Sequence, residues 1–472
     1  MLVRNIGNNG TIHVSLAGKI TVSFVTDLGL KKPPPLLPIS QRRWAWKMAY
    51  WNAALWAIGN GLTSTTLVIF LALELGAKNL GLGIGLVLAM PQMLGLLRLS
   101  APVLIGRIAD RKTFCLGTFL CSGLLLFCLP LAAAPSMLRS AGMSLAALVI
   151  LWTLHHLMQY LGTIALFSWL ADVAPLRIRG RFFGFRQRWL VAGEAIGALA
   201  CGLFSYWWME NHAESLRWIG YAIPAGLGAW FMIAAIVPLW MMPKAEKVVH
   251  KRPAIDWKSL ARPFTDSRFL RLLLFGCWFS FSTGLTQTMQ TTFPAQVLHV
   301  ALLTMLAVQT AMRLGQLSIS PALGRMIDRV GNKAVMLFCL VLTVQGPLFY
   351  FFSTPQEPWW FVGAWIMWIA YAGLNIGLPN LMLKLAPGQT NTPYIAAYFT
   401  VTGLCYAANT ILGGWLFDRY GNSTFEFFLG GSLDYNQWIF LIGWAARCLG
   451  IMALLLVIEP ENKHLGRRMS AG

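Results

Sequence analysis

The sequence predicts an all-α polytopic membrane protein, with twelve transmembrane helices in two pseudo-symmetric six-helix bundles. Three observations predict it. The 472 residues are 57% hydrophobic and only 11% charged, with a mean hydropathy of +0.61, far outside the soluble range. About twelve long apolar segments follow one another with few residues between them. A hexapeptide also occurs twice, as Gly106-Arg107-Ile108-Ala109-Asp110-Arg111 and Gly324-Arg325-Met326-Ile327-Asp328-Arg329. Each copy follows an apolar segment with a proline near its end (Pro102, Pro321) and precedes another. One charged turn of this kind is common between membrane helices. Two copies 218 residues apart indicate a duplicated architecture.

In chain order, residues 1–43 form a polar tail ending in Lys31-Lys32-Pro33-Pro34-Pro35. Polyproline excludes a helix there, so a cytoplasmic, partly disordered arm is expected. It lacks the basic start and clean apolar core of a signal peptide. The apolar segments then run over 46–73, 79–105, 114–134, 142–170, 182–208, 217–242, 268–297, 300–323, 333–353, 358–384, 392–416 and 436–458. Most are long enough, at about 1.5 Å per residue, to cross a hydrocarbon layer. They divide into an N-terminal bundle (44–242), a basic linker (243–267) and a C-terminal bundle (268–460), followed by a tail (461–472).

The net charge of +20 does not point to nucleic acid, because the basic residues sit in short clusters between apolar runs. With both termini in the cytoplasm, 30 of the 37 Lys and Arg fall inside. Only Lys78, Arg139, Arg217 and Arg419 fall outside, as the positive-inside rule requires. The linker carries Lys244, Lys247, Lys251, Arg252, Lys258 and Arg262, a solvated loop suited to anionic lipid headgroups. The eight cysteines all lie in apolar segments without CxxC or metal-like spacing and read as small packing residues.

The repeat extends beyond the hexapeptide. Helix 4 ends at Ala171-Asp172-Val173-Ala174-Pro175 and helix 10 at Leu383-Lys384-Leu385-Ala386-Pro387. Counting 27 residues from each proline reaches Gly202 and Gly414, and parallel six-helix repeats are a transporter plan.

At these residues the chain resembles the major facilitator superfamily, over residues 44 to 460. The loop 2–3 signature G-x-x-x-D-R-x-G-R-K is matched at Gly106, Asp110 and Arg111, with Thr113 at the second glycine. The second copy matches at Gly324, Asp328, Arg329, Gly331 and Lys333. The resemblance implies that each loop aspartate caps a helix of the opposite half, Asp110 on helix 11 and Asp328 on helix 5. A carboxylate at a helix start gains from the dipole and the unpaired N–H groups. Arg111 would pair with Asp172, and Lys384, standing at the equivalent of Asp172, with Asp328. Ordinary solvated turn charges are the alternative.

Helix 5 carries Gly193, Gly197 and Gly202, similar to the antiporter motif G-x-x-x-G-P-x-x-G-G with Ala198 at the proline. Small residues at this spacing also serve close helix packing. His156, Gln159 and Gly162 in helix 4 are similar to R-x-x-Q-G-x-G, with His156 at the arginine.

Ionisable residues at membrane depth are the sharpest functional signal, since charge there is costly and faces a partner or a water-filled cavity. They are Arg98, Glu194, Arg313 and Arg447, with His155 and His156. Glu194 lies about 18 Å above the start of helix 5, and Arg313 about 16 Å above Gly324. In the resembled fold helices 5 and 8 face each other across the halves, so a Glu194–Arg313 pair is expected at the cavity: a structural pair, a gate or a proton-coupling site. Of the adjacent histidines, one at most lines a cavity, and packed, hydrogen-bonded rings are the plainer expectation. Arg447, on a helix that is usually outer, is expected to serve an intrahelical or headgroup role.

Helices 1, 4, 7 and 10 line the cavity of the resembled fold. They offer Asn52, Asn60, Thr63, Gln159, Tyr160, Gln287, Gln290, Trp365, Trp368, Tyr371 and Asn375. The set suits a neutral or amphipathic small molecule rather than a dianion, although most of the aromatics are expected in packing and interfacial belts.

No catalytic or nucleotide-binding motif is present, so neither an enzyme nor a cofactor is expected. The leading expectation is proton-coupled export of an amphipathic or drug-like compound by a monomer in the plasma (inner) membrane. Uptake or facilitated passage of a neutral solute such as a sugar is the alternative. A non-transporting receptor or assembly factor is the third.

Overall fold

In hydrocarbon, backbone N–H and C=O groups find partners only within a helix or a closed barrel, and the apolar segments of this chain are helical. The computed structural model describes residues 3–6, 12–16, 20–24, 38–98, 110–134, 137–173, 179–243, 261–385, 391–426 and 432–459.

The described residues form twelve helices, some in two pieces. They are α1 (Ile39–Leu62, resuming as Thr65–Leu73), α2 (Leu80–Met93), α3 (Arg111–Ala132), α4 (Ala141–Val173), α5 (Arg179–Asn211) and α6 (Arg217–Ala234, resuming as Ile236–Met241). The second half follows with α7 (Ser267–Gln296), α8 (Leu302–Val330), α9 (Asn332–Thr343, resuming as Gly346–Phe352), α10 (Trp360–Met367, resuming as Tyr371–Leu385), α11 (Asn391–Tyr420) and α12 (Tyr435–Leu455). Eleven segments are long and apolar enough to cross a membrane. The twelfth, α8, has 29 residues, but Gln309, Arg313 and Gln316 lower its hydropathy.

The interruptions have side-chain causes. In α1, the Ser64 hydroxyl accepts from Leu67 N at 3.2 Å and starts the second piece. In α6, Asn52 Nδ2 reaches the carbonyl of Ala235 at 2.9 Å. In α10, Gln316 Nε2 donates to the Trp368 carbonyl at 3.0 Å. Each amide satisfies an oxygen beside a break in its partner helix.

In the arm expected to be partly disordered, Val3–Ile6, Ile12–Leu16 and Ile20–Phe24 pair as a small antiparallel sheet. The alternation Ile12-His13-Val14-Ser15-Leu16, rich in branched residues, is the strand signal that the polyproline stretch overshadowed.

The face where α1 begins and α12 ends is here the terminal face. Towards the opposite face the apolar core is continuous between the halves. It joins Leu67, Ile84, Leu148 and Ala229 of the first half to Met289, Leu302, Met305 and Phe440 of the second. Towards the terminal face it divides. One cluster gathers Met48, Phe119, Trp169 and Phe182, and a separate one gathers Phe269, Met336, Leu381 and Tyr398.

Candidate functional site

The gap between the two terminal-face clusters leads to a cavity of about 300 Å³. Two helices supply most of its polar lining. From α5 come Gln187, Val191, Glu194 and Ala198; from α8 come Gln309, Arg313, Gln316 and Ser320. Both sets step by four, three and four residues, which places each on a single helical stripe. Ser64, Thr310 and Asn375 add hydroxyl and amide groups.

Glu194 and Arg313 meet across the halves as an ion pair through Glu194 Oε1 and Arg313 Nη1, as the sequence led us to expect. Asn60 Nδ2 donates to the same carboxylate oxygen at 3.3 Å. The Arg313 side chain is 50% exposed and that of Glu194 30%, so water in the cavity screens the pair. Aromatic rings are absent from the described lining, and the opposite charges of Glu194 and Arg313 cancel.

Beyond the pair, towards the opposite face, the halves close on each other. Thr66 and Gln309 are joined by a hydrogen bond from Gln309 Nε2 at 2.8 Å. A Cβ on Gly202 would meet Leu303 Cα at 2.9 Å, bringing α5 against the start of α8. Asp418, at the end of α11, accepts from Gly81 N at 2.7 Å and Leu82 N at 2.8 Å in the first turn of α2. The cavity is thus sealed on the opposite face and continues towards the terminal face.

The family model described as Major Facilitator Superfamily matches residues 288–470. Crystal structures of the same fold align with both halves. The nucleoside transporter NupG aligns at TM-score 0.61 and 15% identity over 90% of this chain and 100% of its own. A D-xylose-proton symporter aligns at 0.62 and 15%, over 89% and 98%. The inward open xylose transporter XylE from E. coli aligns at 0.58 and 14%, over 92% and 99%. No curated protein sequence matches the chain. The family model falls within the second half, and the aligned structures show that the chain shares the fold of these transporters over both halves.

The described residues of the two loop motifs stand at the terminal face. Asp110 caps its own helix, accepting from Lys112 N at 3.1 Å, Thr113 N at 3.3 Å and Thr113 Oγ1 at 2.8 Å. Arg111 is the first residue of α3. Gly106 lies outside the described residues, and of Asp172 only the backbone, in the last turn of α4, is described. Gly324, Asp328 and Arg329 belong to the last turns of α8, which ends at Gly331 with φ +94°.

Lys384 overturns its expected pairing with Asp328. It bonds Glu459 at 2.8 Å. Glu459 also accepts from Asn332 N at 3.1 Å, Asn332 Nδ2 at 2.6 Å and Lys333 N at 2.7 Å, which caps α9. Burial alone raises its carboxyl pKa, but these bonds outweigh that and hold it below the ordinary value. The halves therefore cap α3 and α9 differently, by a loop aspartate in one and by a glutamate beyond α12 in the other. A lysine clasp repeats in both. Lys112 Nζ donates to Trp240 O at 2.6 Å and Met242 O at 2.7 Å, and Lys333 Nζ to Leu455 O at 2.7 Å.

The glycines of the antiporter-like motif serve packing. Gly193 lies against Ala54 O, where a Cβ would approach to 2.8 Å, and Gly197 against Ile58 O. Both bring α5 onto α1, while Gly202 contacts α8. His156 packs edge-on against Trp152 at 4.4 Å and is not part of the cavity lining. His155 is buried on Ser122, Oγ to Nδ1 2.9 Å. The side chain of Arg98, in the short turn after α2, is outside the description.

Of the expected cavity residues, Asn375 lines the cavity and Asn60 holds Glu194. Asn52 is spent on α6. Thr63 bonds Gly59 O within α1 at 2.8 Å. Trp368 is buried in the second half, stacked on Tyr350 at 5.9 Å, and Trp365 packs against it at 5.1 Å. Tyr371 packs on Phe279 at 6.2 Å. Gln290 is buried, and Gln159, Tyr160 and Gln287 are half-buried outside the lining. The residues missed, Gln187, Gln309 and Gln316, were readable from the polar stripes flanking the ion pair. Assigning the lining to helices 1, 4, 7 and 10 hid them.

Proposed function

We propose that the chain is a secondary transporter for a small, neutral, polar solute, working by alternating access with Glu194 as its proton-sensitive residue. The single observation that carries this reading is the composition of the cavity. Its amides and hydroxyls offer both donors and acceptors, its one carboxylate and one guanidinium neutralise each other, and its lining lacks rings. A volume of about 300 Å³ is at the lower end for ligand sites. This favours the neutral-solute expectation over export of a bulky amphipathic compound. The solutes named for two similar folds, a nucleoside and D-xylose, are likewise polar.

The distribution of Lys and Arg supports placing the terminal face in the cytoplasm of a plasma (inner) membrane. The divided core then corresponds to an inward-facing state. Both walls of the cavity come from one chain, so a monomer suffices. The Glu194–Arg313 pair stands where the closed and open parts meet. Protonating Glu194 releases Arg313, which is how a proton gradient would act on the halves.

Counterflow in proteoliposomes tests both parts. Neutral pentoses, nucleosides and polyols are expected to exchange, and a pH gradient to drive their accumulation. Glu194→Gln is expected to keep exchange and lose the accumulation. Exchange confined to hydrophobic cations would refute the solute class, and gradient-driven accumulation by Glu194→Gln would refute the coupling.

A further inference from the structure

Arg447 lies in the middle of α12 and is 1% exposed. The expected intrahelical or headgroup role does not hold, because the side chain points into the second half. Its Nη2 donates to Thr286 Oγ1 on α7 at 2.8 Å, and Gln290 Nε2 donates to the same hydroxyl oxygen at 3.2 Å. The other guanidinium nitrogens, Nε and Nη1, are buried without an acceptor among the described residues. The phenol groups of Tyr350, Tyr371 and Tyr406, on α9, α10 and α11, lie within its electrostatic reach.

What this centre lacks is a counter-charge. In the second half, acidic residues stand at helix ends, as Asp328 and Asp418 do, or between helices. Arg447 has no carboxylate partner among the described salt bridges. Arginine does not shed its proton in proteins, and an unpaired buried charge costs several kcal/mol. Water can accept from the N–H groups of these two nitrogens but does not neutralise the charge. Buried polar atoms without partners ask for an explanation, and a buried guanidinium with two such nitrogens and no carboxylate asks for an anion.

We infer that the second half binds a small monovalent anion, a halide or a carboxylate group, on Nε and Nη1 of Arg447. One negative charge balances the guanidinium, and a side chain 1% exposed leaves a small anion as the fitting partner. This centre is separate from the Glu194–Arg313 cavity and does not depend on how that cavity works.

Thermal unfolding of the purified full chain in detergent tests the inference, at fixed pH and ionic strength in sodium chloride, bromide, acetate or gluconate. An anion that binds only the folded chain raises the midpoint by mass action. A saturable rise in chloride, bromide or acetate over gluconate is expected, and Arg447→Gln is expected to lose it. A rise in the halides identifies an inorganic anion, and a larger rise in acetate a carboxylate. Coincident midpoints in all four salts would overturn the inference, as would a full-sized rise in Arg447→Gln. If that variant does not fold, bromide-soaked crystals of the unaltered chain decide: an anomalous peak at the guanidinium supports the site, and its absence at saturating bromide refutes it.

Discussion

The carboxylate of Asp418 stands 2.7 Å from the backbone nitrogen of Gly81, so the end of α11 caps the start of α2 across the two halves. Asn79, the residue in the capping position of α2, makes no side-chain cap of its own. Asp418 supplies what is missing, and the exchange of caps between halves occurs here on the opposite face. A helix-start carboxylate is worth about 1 kcal/mol at an exposed site. Asp418→Ala should therefore shift the balance towards opening of that face by roughly fivefold. The readout is the rate at which an impermeant thiol reagent, added from that face, labels a cysteine placed at Leu306. An unchanged rate would show that the apolar contacts alone hold the seal.

The ion pair should show its coupling in a double-mutant cycle. Glu194 and Arg313 are both partly exposed, so their interaction in this state is discounted to about 1 kcal/mol. Arg313→Gln and Glu194→Gln should each lower the unfolding midpoint. The double variant should lose less than the sum of the two, by about that amount. Strict additivity would mean that the pair is not formed in the membrane.

Two glycines should respond oppositely to alanine. A Cβ at Gly197 would collide with the Ile58 carbonyl, whereas Gly324 has open space around it. Gly197→Ala should lower the unfolding midpoint, by separating α1 from α5. Gly324→Ala should leave it unchanged or raise it, since alanine is the better helix former by about 1 kcal/mol. Equal shifts in a thermal melt would contradict the close approach of α1 and α5.

Acid should undo the clasp at Glu459. Its carboxyl pKa is held below the ordinary value, so the stabilisation is complete above the unfolded-state value and is lost as pH falls through the folded one. Unfolding midpoints should therefore drop on acidification below about pH 4.5, the unfolded carboxylate value. The drop should be smaller in Glu459→Gln. The same slope in both proteins would place the acid-sensitive group elsewhere.

Much of the fold was legible because membrane helices announce themselves by length and composition, and the duplicated hexapeptide gave the two halves. The Glu194–Arg313 pair was legible too, since its depth in each helix follows from counting residues. What sequence did not reveal is the choice among partners that spacing allows. Asp110 caps its own helix and Lys384 bonds Glu459, a residue outside the repeated motifs. Arg447 was misplaced for another reason. Helix order says which helix is outer, whereas the rotation of a helix about its axis decides whether a residue meets lipid or core.

The continuous apolar core near the opposite face makes the two halves a single adhesive body, whatever the connection between them. Covalent linkage through residues 243–267 is then a matter of assembly rather than of holding together. Two polypeptides, ending and beginning within that stretch and produced in the same cell, should find each other and purify as one particle. Evolution could have reached the same architecture from two genes.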